Sequence, residues 1–169
     1  PLVENSSLGF NFDSGEFGSN LKVGKVRRKS IDETYELVVG KVSTARNHCN
    51  EMVVPLQEKV SPGRLINLVV RAFNDGIAFR YEFPEQEGWN SYVMYDEKTQ
   101  FRLSGNPMAL LMYLPGYINT HEGVYTHTRY DKIAKKRLIE MPVTLEFENG
   151  VFMSITEAAI RDYAGMYLV

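Results

Sequence analysis

Two runs of alternating side chains, Leu65 to Phe73 and Ile77 to Phe83, flank the dipeptide Asp75-Gly76. Asp-Gly between alternating apolar runs is a strong hairpin signal, because a two-residue loop of this kind needs positive φ at both turn positions. With Asp75-Gly76 as the loop, Asn74 faces Ile77, and Ala72, Val70 and Leu68 fall opposite Phe79, Tyr81 and Phe83. One face is then wholly apolar. The other opposes Arg71 to Arg80 and Val69 to Glu82, so two like charges face each other unless a carboxylate intervenes, and Glu82 is the nearest on that face.

A second hairpin reads from Val143 to Ile155 around Asn149-Gly150. Its alternation is cleaner before the turn than after it, which predicts burial on both faces, as in stacked sheets. Further strands are expected at Leu21 to Val26, Thr34 to Val39, Asn50 to Leu56, Ser91 to Tyr95, Gln100 to Leu103 and Ala109 to Leu114, each bounded by Gly, Pro, Asn or Asp. One helix is expected, Tyr130 to Ile139, with Lys132, Lys135, Lys136 and Arg137 forming a solvated basic face. Ten Tyr and nine Phe in 169 residues suit pleated, half-buried surfaces. The fold class expected is all-β, a sandwich or barrel of mostly antiparallel strands with little helix.

Nineteen basic against twenty-one acidic residues give a formal net charge of −2, so no global field gathers nucleic acid or an anionic membrane. The single cysteine, Cys49, forms no internal disulfide. No window approaches a membrane span, and no basic and apolar leader opens the chain. Pro1-Leu2-Val3 reads as the tail of a strand, and Gly165 to Val169 as an apolar run with no polar closing segment. The chain is therefore expected to be an excerpt of a longer protein.

No phosphate loop, zinc-protease helix or nucleophile elbow is present. His48, His121 and His127 are scattered. His121-Glu122 follows an apolar strand and the Pro115-Gly116 turn, a position from which a carboxylate can offer calcium a hard oxygen, although calcium takes six to eight. Arg46-Asn47-His48-Cys49-Asn50-Glu51 is densely polar for a segment entering a strand; it reads as a substrate or interdomain contact, or as a network satisfying strand-end groups. Glu157 either lines a cleft or pairs with Arg161 four residues on in a helix. Trp89, Tyr92, Tyr95, Tyr113, Tyr117 and Tyr125 form either a sugar-stacking platform or, as is commoner in a β-rich chain, core.

Five segments, in order, resemble the amino-terminal domain of glycoside hydrolase family 97, the bacterial α-glucosidases and α-galactosidases. They are Ser7 to Phe10, Arg46 to Glu51, Arg71 to Pro84, Pro115-Gly116 followed by Glu122, and Glu157 to Tyr163; Arg71 to Pro84 is the most specific. The resemblance implies that residues 1–169 are an incomplete amino-terminal β-super-sandwich, two stacked sheets packed on a catalytic (β/α)8 barrel that this chain lacks. It further implies that no catalytic residue lies here, and that Glu122 is lent to an active-site calcium completed by the barrel. The implied partners are that barrel and the oligosaccharide substrate of the parent, with Arg46, Asn47, His48, His121 and Glu157 as substrate or interdomain contacts. A periplasmic or secreted parent is implied as well. The rival readings are a free-standing carbohydrate-binding sandwich and, last, a sugar epimerase, which requires a paired His and Glu in one cleft.

Overall fold

A computed structural model describes all 169 residues. Its chain divides into two compact units, Ser7–Gln100 and a second made of Pro1–Ser6 with Phe101–Val169. Both are built from antiparallel strands, and the one helical element is a 3₁₀ turn at Tyr130–Lys132.

In the first unit, β1 (Phe10–Phe12) lies between β2 (Gly15–Phe17) and β8 (Met94–Glu97) in a small sheet. The larger sheet runs β3 (Leu21–Val23), β5 (Thr44–Glu58), β6 (Leu65–Ala72), β7 (Ile77–Glu82), and β4 (Arg27–Glu36) also pairs with β5. Phe10, Phe12 and Phe17 of the small sheet bury with Ile66, against Leu56 and Tyr81 of the larger one, so the two sheets sandwich an aromatic core. Phe10 and Tyr81 meet edge-on at 4.6 Å, the arrangement ring quadrupoles favour. Burial pushes the Tyr81 phenol up to about 12, although its bond with Thr99 pulls the other way.

The first hairpin forms between β6 and β7 with a register two residues away from the expected one: Leu68 faces Tyr81, Val70 faces Phe79 and Ala72 faces Ile77. A shift of two keeps every side chain on its expected face. The loop is Phe73 to Gly76, closed by the Phe73 N–H donating to the Gly76 carbonyl, and neither Asp75 nor Gly76 has positive φ. The charges explain the choice. Arg71 now faces Ala78 instead of Arg80 and pairs with Glu51 of β5, while Arg80 pairs with Glu82.

The second unit holds one sheet, in the order β10 (Thr126–Arg129), β9 (Met108–Leu114), β11 (Leu138–Glu146), β12 (Phe152–Ile155). Ala109 and Leu111 of β9 with Ile139, Val143 and Leu145 of β11 form an aliphatic core, covered by Leu2, Val3, Ile133 and Leu168. The β9–β11 register slips between Glu140 and Thr144, where Pro142 has no N–H to give the ladder. The second hairpin turns through three residues, with the Gly150 N–H on the Phe147 carbonyl and Gly150 at φ 75°, a conformation that favours glycine. Its returning strand is not buried on both faces: Met153 and Ile155 turn inward, whereas Phe152 is 64% exposed.

Three other expectations give way. The Tyr130 to Ile139 helix stops after one 3₁₀ turn, and Lys136 takes φ 61° before β11 begins. Tyr113 captures this segment: its hydroxyl accepts the Ala134 N–H at 2.8 Å, and the Arg137 guanidinium lies 4.2 Å from its ring centre. Thr34 to Val39 is only the end of β4, which starts at Arg27, and Val38 and Val39 are exposed in the turn beyond it. Gln100 to Leu103 contributes a single bridge, Leu103 to Val3, instead of a strand.

Candidate functional site

Residues 115–123 form a loop that returns over β9 and β11. Glu140 and Met112 face each other across the ladder, on the side opposite the aliphatic core. The loop is fastened to that side. Asn119 donates from Nδ2 to the Gly116 carbonyl and accepts the His121 N–H on Oδ1, both at 2.7 Å. His121 Nδ1 lies 2.6 Å from Glu140 Oε1, while Glu140 Oε2 is buried with no partner in the protein. At Gly123 a Cβ would lie 3.0 Å from Met112 Sδ, so only glycine passes without displacing Met112. Tyr167 adds a ring edge to Tyr117 at 5.6 Å and a plane parallel to His121 at 6.4 Å.

Between the fastened His121, held at φ 55°, and the close-packed Gly123 stands Glu122, exposed at the loop's tip. Such a loop can aim one carboxylate outward with little freedom to wander. Within this chain it is not a complete metal site. No group of three or more His, Cys, Asp or Glu is placed to hold an ion, and one carboxylate falls far short of the six to eight oxygens calcium takes. The donor is of the right chemistry, and the remainder would have to come from elsewhere.

Glu157 belongs to the same unit but serves the backbone. The segment after β12 is not helical, so the Arg161 pairing does not form; instead Glu157 Oε1 accepts the Met166 N–H at 2.9 Å. His127 sits exposed on β10 opposite Leu110. Glu140 and Tyr167, which hold His121, escaped the sequence reading. Glu140 had one visible signal: it is an acid between Ile139 and Met141 in an apolar strand.

In the other unit, Arg46, Asn47 and His48 are consecutive in β5, so they cannot share a face. Arg46 and His48 point to the exposed side and Asn47 to the covered side. Arg46 makes a two-pronged bond to Asp32 on β4, each arm 2.7 Å, which holds the Asp32 carboxyl below its ordinary range. Asn47 donates to Glu33 directly opposite, at 2.7 Å. Further along β5, buried Glu51 accepts from Arg71 and Lys29; the Arg71 bond is the main reason its carboxyl is held low. This polar run is thus a cross-strand ladder that satisfies itself.

Trp89 is buried, whereas Tyr92 is 37% and Tyr95 67% exposed; Tyr113 is half-buried, and Tyr117 and Tyr125 are exposed. Most of these residues do not form one platform. Trp89 and Tyr92 are the exception, stacked at 4.6 Å beside Phe12 and Phe83.

The family model described as Glycosyl-hydrolase 97 N-terminal matches residues 1–169. A retaining alpha-galactosidase of Bacteroides thetaiotaomicron is 27% identical over 177 residues, spanning 99% of this chain and 25% of that protein. Solved structures of a glycoside hydrolase family 97 enzyme from Pseudoalteromonas sp. strain K8, including complexes with panose and acarbose, superpose with a TM-score of 0.90 at 31% identity, over 98% of this chain and 25% of theirs. A beta-arabinopyranosidase shares the fold, with a TM-score of 0.83 at 24% identity. The chain spans about a quarter of the length of these relatives. Its end-to-end match to the family model makes it a glycoside hydrolase family 97 amino-terminal domain.

Proposed function

We propose that this domain packs on the catalytic barrel of an α-glycosidase and lends Glu122 to a calcium ion there, leaving bond cleavage to carboxylates outside the chain. The observation that carries the reading is the construction of the loop: its base is tied through Asn119, His121 and Gly123, and its one exposed acid is Glu122. A hard cation favours an oxygen donor whose position is already fixed, because little ordering entropy remains to be lost. When bound, calcium supplies Lewis-acid polarisation and orientation at the scissile bond. The chain's own part is to hold one carboxylate still.

The substrate class proposed is an α-linked oligosaccharide. The name of the Bacteroides relative supports α-galactosides, and the panose and acarbose complexes of the Pseudoalteromonas enzyme support α-glucosides. The parent acts in the periplasm or outside the cell.

The test is Glu122→Gln in the full-length enzyme, with calcium affinity measured by calorimetry on metal-stripped protein. Loss of one charged ligand is expected to weaken calcium by about tenfold or more and to lower activity at limiting calcium. An unchanged calcium affinity would remove Glu122 from the site.

A further inference from the structure

Beside the sandwich of the Ser7–Gln100 unit lies a surface hollow of about 500 Å³, lined by Phe83, Pro84, Glu85, Trp89, Asn90 and Tyr92. That volume is within the roughly 300–1,000 Å³ of small-ligand sites. We propose that this hollow binds a neutral sugar ring.

The floor is aromatic and rigid. Tyr92 stacks on Trp89 at 24° and 4.6 Å, while Phe12 and Phe83 hold it at 5.4 and 5.5 Å, yet 37% of Tyr92 remains exposed. A locked, half-open ring offers an apolar plate to the C–H face of a pyranose at little cost in side-chain entropy.

The rim is polar. Asn90, which donates and accepts, and Glu85, which accepts, are both exposed. Hydroxyl groups, each both donor and acceptor, match that set.

Charge narrows the ligand. The lining contains no Lys or Arg to meet a phosphate or carboxylate. An uncharged polyol with an apolar face fits this lining, with Glu85 and Asn90 to meet its hydroxyls.

The experiment counts sugar equivalents bound by the full-length protein in calorimetric titrations with two non-hydrolysable probes, a thio-linked maltotrioside and a thio-linked α-galactoside. The wild type is expected to bind one equivalent of at least one probe more than Tyr92→Ala, and Asn90→Ala is expected to weaken that equivalent by about 2- to 10-fold. Equal stoichiometry and affinity in the wild type and both variants overturn the proposal. A lower melting temperature for Tyr92→Ala with unchanged stoichiometry overturns it as well, since the ring would then serve packing alone. If Tyr92→Ala does not fold, Asn90→Ala decides. The Glu122→Gln protein keeps this equivalent, so failure of the calcium reading is distinguishable from failure here.

Discussion

The two units close their cores with different chemistry. The Ser7–Gln100 unit packs Phe10, Phe12, Phe17 and Trp89 between two sheets and buries charge beside them. Arg64, 2% exposed, forks onto Glu58 at 2.6 and 2.9 Å and donates to the Ser14 hydroxyl and to the Gly15 and Glu16 carbonyls. The other unit fills its core mainly with aliphatic side chains, Leu103, Ala109, Leu111, Ile139, Val143 and Leu145 beside the single ring of Phe147, and its arginine ion pairs, such as Arg102 with Glu4, stand exposed. The Arg64 guanidinium lies against the aromatic core, 5.4 Å from the Phe12 ring centre and 5.9 Å from those of Phe17 and Trp89, while it meets the acceptors of the Ser14–Glu16 turn. Burying charge is costly, and the arrangement holds only because every arm of Arg64 is matched.

Substitution in each core is the most forceful way to break this comparison. Arg64→Ala strands the Glu58 carboxylate and three acceptors, with an expected loss of about 3–5 kcal/mol. Leu145→Ala, in the aliphatic core, opens a cavity, with an expected loss of about 2–5 kcal/mol. Chemical denaturation of each variant measures both. The discriminating step is Arg64→Met combined with Glu58→Leu, which removes the charge but keeps the volume; recovery of most of the lost stability shows that the stranded charge, not the missing bulk, carries the effect. No recovery would mean that the fork to the Ser14–Glu16 turn matters more than the pair.

Much of the strand layout was legible beforehand, and the exceptions have physical causes. Period-two alternation marked the strands around Leu68 and Leu145, and a register error of two left the cross-strand faces unchanged, although Val69 on the charged face is as buried as Ile66 on the apolar one. Alternation could not set the register, since the chain turns through the four residues Phe73 to Gly76 and not through the two-residue Asp-Gly loop that the dipeptide suggests. The Tyr130 to Ile139 helix was lost to Tyr113, a long-range partner invisible to local pattern. The loop that carries His121 and Glu122 was legible from the Pro-Gly turn before it, whereas Glu140, which fastens it, was hidden in an apolar strand. Of the two readings of the Arg46 to His48 run, the polar network is the one visible in the cross-strand bonds of Arg46 to Asp32 and Asn47 to Glu33, and a strand divides these neighbours between faces.

Acid sharpens the comparison next. Burial raises the Glu58 carboxyl, but the Arg64 hydrogen bonds outweigh it and the group ends below its ordinary 4.5; Glu51 is also held below 4.5, mainly by Arg71. A carboxyl depressed in the folded state stabilises the fold fully above its unfolded value, and that contribution is lost as pH falls through the folded value. The Ser7–Gln100 unit is therefore expected to loosen first as pH drops below about 4.5. Hydrogen exchange read by mass spectrometry, strand by strand, checks it: β5 and β6 should lose protection at a higher pH than β9 and β11. The reverse order would show that the buried pairs do not govern acid stability.

The smallest effect is expected in the densely polar run that enters β5. Arg46 and Asp32 bond at 2.7 Å, yet both are more than half exposed, so water screens the attraction and two mobile side chains lose freedom in forming it. The pair sits on a β4–β5 ladder already secured by ten residue pairings. Arg46→Ala should leave the melting temperature within error of the wild type, in contrast to Arg64→Ala eighteen residues on. If the full-length enzyme also keeps its kcat and KM, Arg46 serves as a surface rung. A raised KM with unchanged melting would instead make its exposed face a substrate contact, and the boundary between structural and functional charge in this unit would have to be redrawn from the core outward to β4.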